Sequence, residues 1–123
     1  MNLNLRGQAV TRVCFDAALT VLTSGDYELR VETEAILQVS AEDHVYFDPE
    51  SPAVVASHLV GLVRDVITVA EAGSVGDLVI EFESGMKLTV LPDEEYEAWG
   101  IVGLKGKRVV CMPGGEIAVW NGE

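Results

Sequence analysis

The stretch that decides the fold is residues 96–120, YEAWGIVGLKGKRVVCMPGGEIAVW. It contains three short, strand-forming segments separated by two glycine turns, a pattern typical of an antiparallel meander. Lys105-Gly106 marks the first turn. Pro113-Gly114 marks the second, where proline suits the second position of a type II turn and glycine suits the third. The end of the chain is therefore predicted to be held in a sheet rather than to hang free.

A second pair of strands precedes the meander. Residues 78–82 (LVIEF) and 86–91 (MKLTVL) lie on either side of Ser84-Gly85. This arrangement predicts a β-hairpin, in which one apolar set faces another: Leu78, Ile80 and Phe82 against Met86, Leu88 and Val90.

Residues 27–39 show the cleanest alternation of apolar and charged residues. One face carries Tyr27, Leu29, Val31, Thr33, Ala35, Leu37 and Val39, and the other carries Glu28, Arg30, Glu32, Glu34 and Gln38. A period of two residues predicts a half-buried strand. Because the segment is long, we expect either a bend near Thr33 or two separate strands.

The remaining segments complete an α+β domain that spans residues 1–123. Strands are also predicted at 9–15, 17–22, 44–47 and 66–70. After Asp48-Pro49-Glu50, Ser51 suits an N-cap and Pro52 suits the first helical position, so a helix is predicted at about 52–64. The predicted architecture is a curved, mostly antiparallel sheet or open barrel of about eight strands with this one helix packed on it.

Composition limits the classes of function. The net charge is −12 in 123 residues, which argues against a nucleic-acid binder, because such proteins cluster Lys and Arg to meet phosphates. No apolar run is long enough to span a bilayer, and the N-terminus lacks the pattern of a secretion signal, so we expect a cytoplasmic protein without membrane contact. Cys14 and Cys111 are predicted to be two buried thiols, and no Cys/His spacing supports a metal or another cofactor.

No catalytic constellation is evident in the sequence. The acidic cluster Asp93, Glu94, Glu95 and Glu97 is compatible with acid–base chemistry. The favoured interpretation is a solvated loop whose charges meet Lys105, Lys107 and Arg108 across the hairpin, because runs of surface charge seldom catalyse reactions. Because neither a nucleophile elbow nor a phosphate-binding glycine pattern is present, no catalytic residue is predicted.

The charge is compatible with solubility alone or with a basic protein partner. Together with the absence of a catalytic constellation, it leads to the hypothesis of a non-enzymatic module that binds a basic protein partner. The predicted binding residues are Glu94, Glu95, Glu97 and Trp99. A partly exposed Trp99 or Trp120 would suit an interface, whereas the alternative is that both pack in the core. A second hypothesis is a small-molecule-binding or hydrolytic barrel that uses His44, Asp48 or His58. Homo-oligomerisation through an exposed sheet edge is compatible with either hypothesis.

The last third of the chain resembles a family of small actinobacterial proteins of unknown function. The resemblance rests on Tyr96–Trp99, Gly103, Val109–Glu116 and Ala118–Trp120, with support from Asp48–Glu50 and Ser84–Leu88, and it covers about half of the chain. It implies no catalytic residues. In size and acidity the family is similar to some toxin-neutralising immunity proteins, which is a likeness of general character only.

Overall fold

A computed structural model describes residues 1–122, which form eleven β-strands and one short α-helix. The strands are β1 (Val10–Phe15), β2 (Leu19–Thr23), β3 (Glu28–Val31), β4 (Ala35–Gln38), β5 (His44–Phe47), β6 (Ile67–Ala72), β7 (Leu78–Phe82), β8 (Lys87–Val90), β9 (Trp99–Val102), β10 (Arg108–Cys111) and β11 (Ile117–Trp120).

The strands form two antiparallel sheets. The six-stranded sheet has the order β1-β2-β3-β9-β10-β11, and the five-stranded sheet has the order β5-β4-β8-β7-β6. The mostly antiparallel α+β-type prediction is confirmed at this level. The prediction of about eight strands in one curved sheet or open barrel is wrong, because residues 1–122 form two separate sheets and no closed barrel.

The alternating segment at residues 27–39 explains how one chain builds both sheets. It divides into β3 in the six-stranded sheet and β4 in the five-stranded sheet, so the second of the two expected alternatives, two separate strands, is the one found. Leu29 and Val31 before the break, and Ala35 and Leu37 after it, are all buried. The apolar face of this segment therefore points into the same core before and after the break, although the chain passes from one sheet to the other.

That interior is shared by both sheets. A single hydrophobic cluster contains side chains from the six-stranded sheet, such as Leu19, Val21 and Val31, and from the five-stranded sheet, such as Leu37, Ile80 and Leu88. Two sheets that bury their inner faces against each other in this way form a sandwich.

The predicted helix at 52–64 is much shorter than expected. Residues Pro52–Val54 form a 3₁₀ turn and Ala56–Val60 form the α-helix α1, with Val55 at φ −122° and ψ 0° between them. The side chain of Ser51 makes no capping hydrogen bond. Valines and Gly61 lower the helix propensity of this segment, and burial of Val55, Leu59 and Leu62 holds it in place instead.

The N-terminal segment covers one sheet edge. The backbone N–H of Leu3 donates to the Ala70 carbonyl at 2.9 Å, and that of Gly7 donates to the Ile67 carbonyl at 2.7 Å. The side chain of Leu3 is buried in the shared core. Residues 1–9 therefore line the outer edge of β6, where sequence patterns had not predicted a strand-like segment.

The hairpin and the meander match their predictions. Leu78 lies opposite Val90 and Ile80 opposite Leu88. Gly114 has φ 85° and ψ −3°, as the third residue of a type II turn requires. The two cysteines are free thiols, as expected, with Cys111 buried and Cys14 half-buried. Among residues 1–122, no helix has the length and apolar character needed to cross a bilayer.

Candidate functional site

Three connections meet at one end of the sandwich. Ala35, at the start of β4, lies opposite both Phe47 and Val90, the last residues of β5 and β8. Val31, the last residue of β3, lies opposite Trp99, the first residue of β9. The segments after β3, β5 and β8 are therefore neighbours in space, although they are far apart in the sequence.

These segments surround an open cleft of about 540 Å³. Its carboxylates come from all three connections: Glu32 and Glu34, Asp48 and Glu50, and Asp93. The other lining residues include Thr33, Leu91 and Tyr46, whose side chain is 69% exposed, and no basic side chain lines the cleft. We call this feature the acidic cleft.

A smaller depression continues the acidic cleft. It shares Glu32 and Glu50 with the cleft and adds Arg30, Tyr96 and Glu97. Arg30 Nε lies 3.2 Å from Glu32 Oε1, and this is the one ion pair within residues 1–122. Because both side chains of the pair are exposed, it stabilises the fold little, and the other carboxylates of the surface have no internal cation.

The expected pairing of the 93–97 cluster with the basic turn is wrong. Lys107 Nζ donates instead to the Tyr27 hydroxyl at 3.3 Å. The Arg108 guanidinium lies 5.6 Å from the centre of the Trp120 ring, and no ion pair joins Lys105 to an acidic residue in the described chain. No carboxylate of the 93–97 cluster forms an ion pair with these basic groups in the described chain, so the cluster is left to interact with solvent or a partner.

The predicted binding residues divide between surface and core. Asp93 Oδ1 accepts the backbone N–H groups of Glu95 at 2.8 Å and Tyr96 at 3.0 Å, which fixes a tight turn before β9. Glu94 and Glu95 are exposed on this turn but line neither cavity. Of the three glutamates, Glu97 alone lines part of the acidic surface, in the smaller depression.

Trp99 lies in the core, as the alternative interpretation proposed. Its side chain is 0% exposed, and its indole Nε1–H donates to the Gly76 carbonyl at 3.0 Å. A fully buried side chain cannot contact a partner, so Trp99 is not part of the interaction surface. Trp120 is 50% exposed at the far end of β11, beside Arg108.

The Gly76 carbonyl also accepts the Cys111 thiol, at 3.2 Å. Trp99 and Cys111 belong to the six-stranded sheet, and Gly76 lies in the β6–β7 loop of the other sheet, so these bonds join the two layers. Burial raises the pKa of the Cys111 thiol above its ordinary value; a backbone hydrogen bond from Ala98 opposes the rise, and the charge of Asp77 adds to it. A thiol kept protonated in this way is a poor nucleophile, and Cys111 is structural.

The alternative pocket of His44, Asp48 and His58 is not assembled in the cleft. Asp48 lines the cleft, whereas neither histidine does. His44 is exposed on β5, edge-on to Tyr46 at 5.9 Å between ring centres, and His58 is exposed on α1. Within residues 1–122, no group of three or more His, Cys, Asp or Glu side chains is placed to hold a metal ion.

Sequence patterns alone did not single out Glu32, Glu34, Glu50 and Tyr46 as site residues. The sequence did contain a signal for Glu32 and Glu34, because the alternation at 27–39 places both of them on the polar face of the predicted strand. The Thr33 hydroxyl between them is buried and has no hydrogen-bond partner in the described structure. A buried hydroxyl without a partner is unfavourable, so the Thr33 side chain lowers the stability of the fold at this position.

The fold and the site define a class: an antiparallel two-sheet β domain with an acidic cleft where two of its connections cross between layers. The chain belongs to a family of unknown function (DUF6188), whose profile matches residues 1–121. No match was found among curated proteins or among solved structures. Membership thus extends over nearly the whole chain. The segments that carried the resemblance include Trp99 and Cys111, which donate hydrogen bonds from one sheet to the loop of the other.

Proposed function

We propose that this protein is a non-enzymatic interaction domain that holds a basic protein partner in the acidic cleft. The observation that carries the proposal is the convergence of Glu32, Glu34, Asp48, Glu50 and Asp93 around one cavity that no basic side chain lines. The proposal keeps the acidic, immunity-like interpretation of the sequence but moves the site. Glu97 stays in it, at the edge, and Tyr46 and Tyr96 replace Trp99.

The two tyrosines give the surface a means to recognise cationic side chains. Tyr46 and Tyr96 are 69% and 65% exposed, and they line the cleft and the adjoining depression. Arg or Lys of a partner would meet carboxylates and an aromatic face together, which favours guanidinium groups in particular. Such contacts speed association and confer specificity, and they weaken as salt increases.

A small cationic ligand is the second candidate. The volume of about 540 Å³ falls within the range that small-ligand pockets occupy. Thermal-shift screening with polyamines and basic amino acids separates the two candidates, because a ligand that binds the folded state raises its melting temperature. The hydrolytic version of this idea has no support from the cleft, since the histidines lie outside it.

The test is a pull-down that compares three forms of the protein in lysate from its source organism. The cleft variant carries Glu32→Gln, Glu34→Gln and Glu50→Gln. The control carries Glu42→Gln, Glu71→Gln and Glu83→Gln, which removes the same charge from exposed positions outside the cleft.

We expect the wild type and the control to retain a basic protein at roughly 50 mM salt and to lose most of it at roughly 300 mM, where screening is strong. The cleft variant should retain at least about tenfold less, because a loss of about 1.4 kcal/mol in binding free energy has that effect. Equal retention by the cleft variant and the control would show that overall charge, and not the cleft, binds the partner.

A further inference from the structure

The outer edge of the six-stranded sheet ends in a strand with a free side. β11 pairs with β10, and no segment of residues 1–122 pairs with its other side. The Met112 N–H donates to the Glu116 carbonyl at 2.7 Å, which sets the alternation along the strand. Ala118 and Trp120 therefore direct their backbone groups toward β10, whereas Ile117 and Val119 direct theirs outward.

Although β11 is only four residues long, this edge lacks most of the features that usually block strand addition. β11 consists of four apolar residues, and its register with β10 contains no bulge. Proline, an inward-pointing charge or a covering segment would protect it. The edge of β6 has such a cover in residues 1–9, and β11 has none in the described chain. Val119 and Trp120 are also 42% and 50% exposed.

We propose that β11 pairs antiparallel with β11 of a second copy, joining two six-stranded sheets into one. The outward backbone N–H and C=O groups of Ile117 form hydrogen bonds with those of Val119 in the second copy. Ala118 lies opposite Ala118 of the second copy, across a two-fold axis. This register forms four backbone hydrogen bonds. It is isologous, because each copy contributes the same residues to the interface.

The charges beside β11 favour a second copy as the occupant. Glu116 precedes the strand, and Arg108 lies beside its far end, over the Trp120 ring at 5.6 Å. Antiparallel pairing sets Glu116 of one copy opposite Trp120 of the other copy, where Arg108 of that other copy lies over the ring. The two-fold axis repeats this arrangement, so the interface contains two such contacts. Three of the eight basic residues lie at positions 105–108, beside this edge, and they reduce the repulsion that two acidic copies would otherwise meet there.

The first experiment is disulfide trapping with Ala118→Cys. In the proposed register, residue 118 faces its counterpart in a pair without hydrogen bonds, where the Cα atoms are about 4.5 Å apart and a disulfide fits. Ser57→Cys, exposed on α1, is the matched control, and Cys14 and Cys111 are present in both variants. Mild oxidation should convert most of the Ala118→Cys protein to a species of twice 13.2 kDa, and little of the control.

The second experiment is sedimentation equilibrium without cross-linking. Up to about 1 mM protein is needed, because a four-bond interface is at the weak end of the affinity range. The wild type should approach twice 13.2 kDa. The Val119→Pro variant should stay monomeric and folded. Proline removes the backbone N–H that points outward at this position, and it breaks no hydrogen bond to β10. Glu116→Arg should also weaken association, and Arg108→Glu added to it should restore it.

A wild type that stays at 13.2 kDa at every concentration would overturn the proposal. So would a dimer that persists in both Val119→Pro and Glu116→Arg, or equal cross-linking of the Ser57→Cys control. None of these outcomes bears on the acidic cleft, which lies elsewhere on the molecule.

Discussion

Replacing Gly115 with alanine is expected to destabilise the fold far more than replacing its neighbour Gly114. Both residues have positive φ, 96° and 85°, so alanine is strained at either position. A Cβ atom at Gly114 would meet nothing within 4 Å, whereas one at Gly115 would lie 2.2 Å from the Val75 carbonyl oxygen. Because that oxygen belongs to the backbone, no side-chain rotation relieves the clash.

The expected difference follows from the contacts that must move. Strain at positive φ costs about 1–2 kcal/mol in either variant. In Gly115→Ala the β6–β7 loop must also shift by about 1 Å to reach an ordinary contact distance, and Gly76 lies in that loop. Its carbonyl accepts a hydrogen bond from the Trp99 indole, worth about 0.5–1.5 kcal/mol, and a weaker one from the Cys111 thiol. We therefore expect Gly115→Ala to be less stable than Gly114→Ala by about 1–3 kcal/mol.

Urea unfolding measures this difference directly. With an m-value of about 1–3 kcal/mol per molar, the two midpoints should differ by about 1 M. Far-UV circular dichroism reports the sheet, and tryptophan fluorescence reports the burial of Trp99. Free energies of unfolding that agree within about 0.5 kcal/mol would refute the claim that the contact between these loops holds the layers together.

Three further predictions concern single side chains. Trp99→Phe should lower the free energy of unfolding by about 2–4 kcal/mol, because it leaves a cavity and removes the bond to Gly76; a loss below about 1 kcal/mol would contradict the core assignment. Thr33→Val should leave stability unchanged or raise it by about 1 kcal/mol in a thermal melt, because it removes a buried hydroxyl without a partner; a clear loss would mean that this hydroxyl is bonded. Because the pKa of Cys111 is higher in the folded than in the unfolded chain, the folded state retains the proton longer, and stability should fall as pH rises above the unfolded value of 9.0. Cys111→Ala should show a shallower fall between pH 8 and pH 10, by at most about 1.4 kcal/mol per pH unit, and identical slopes would contradict the shift.

Local features of the fold were predictable because they depend on short-range geometry. The alternation at 27–39 identified the buried faces of β3 and β4, since a strand turns successive side chains to opposite sides wherever it lies. The Pro113-Gly114 turn was predictable because few residue types adopt the third position of a type II turn. The helix at 52–64 was overestimated because an apolar stripe of helical spacing arises equally from a short, irregular segment that packs on a sheet.

The location of the candidate site was much less predictable. Glu94 and Glu95 were predicted as binding residues because they are neighbours in the sequence. The carboxylates that lie close together in space are different ones: Glu32, Glu34, Asp48, Glu50 and Asp93. Their proximity depends on register: Ala35 opposite Phe47 and Val90, and Val31 opposite Trp99. No local pattern encodes which strand ends become neighbours.

The sequence by itself determined the alternation of apolar and polar residues along the strands, where the chain turns, and that the protein carries a large negative charge. Only the tertiary structure decided that β3 and β4 belong to different sheets, that Trp99 is a buried link between them, and that three distant acidic segments form one cleft. The physical reason is the range of the interactions. Backbone sterics and side-chain alternation act over a few residues, whereas strand pairing and layer packing join residues tens of positions apart and are selected by the burial of one common core.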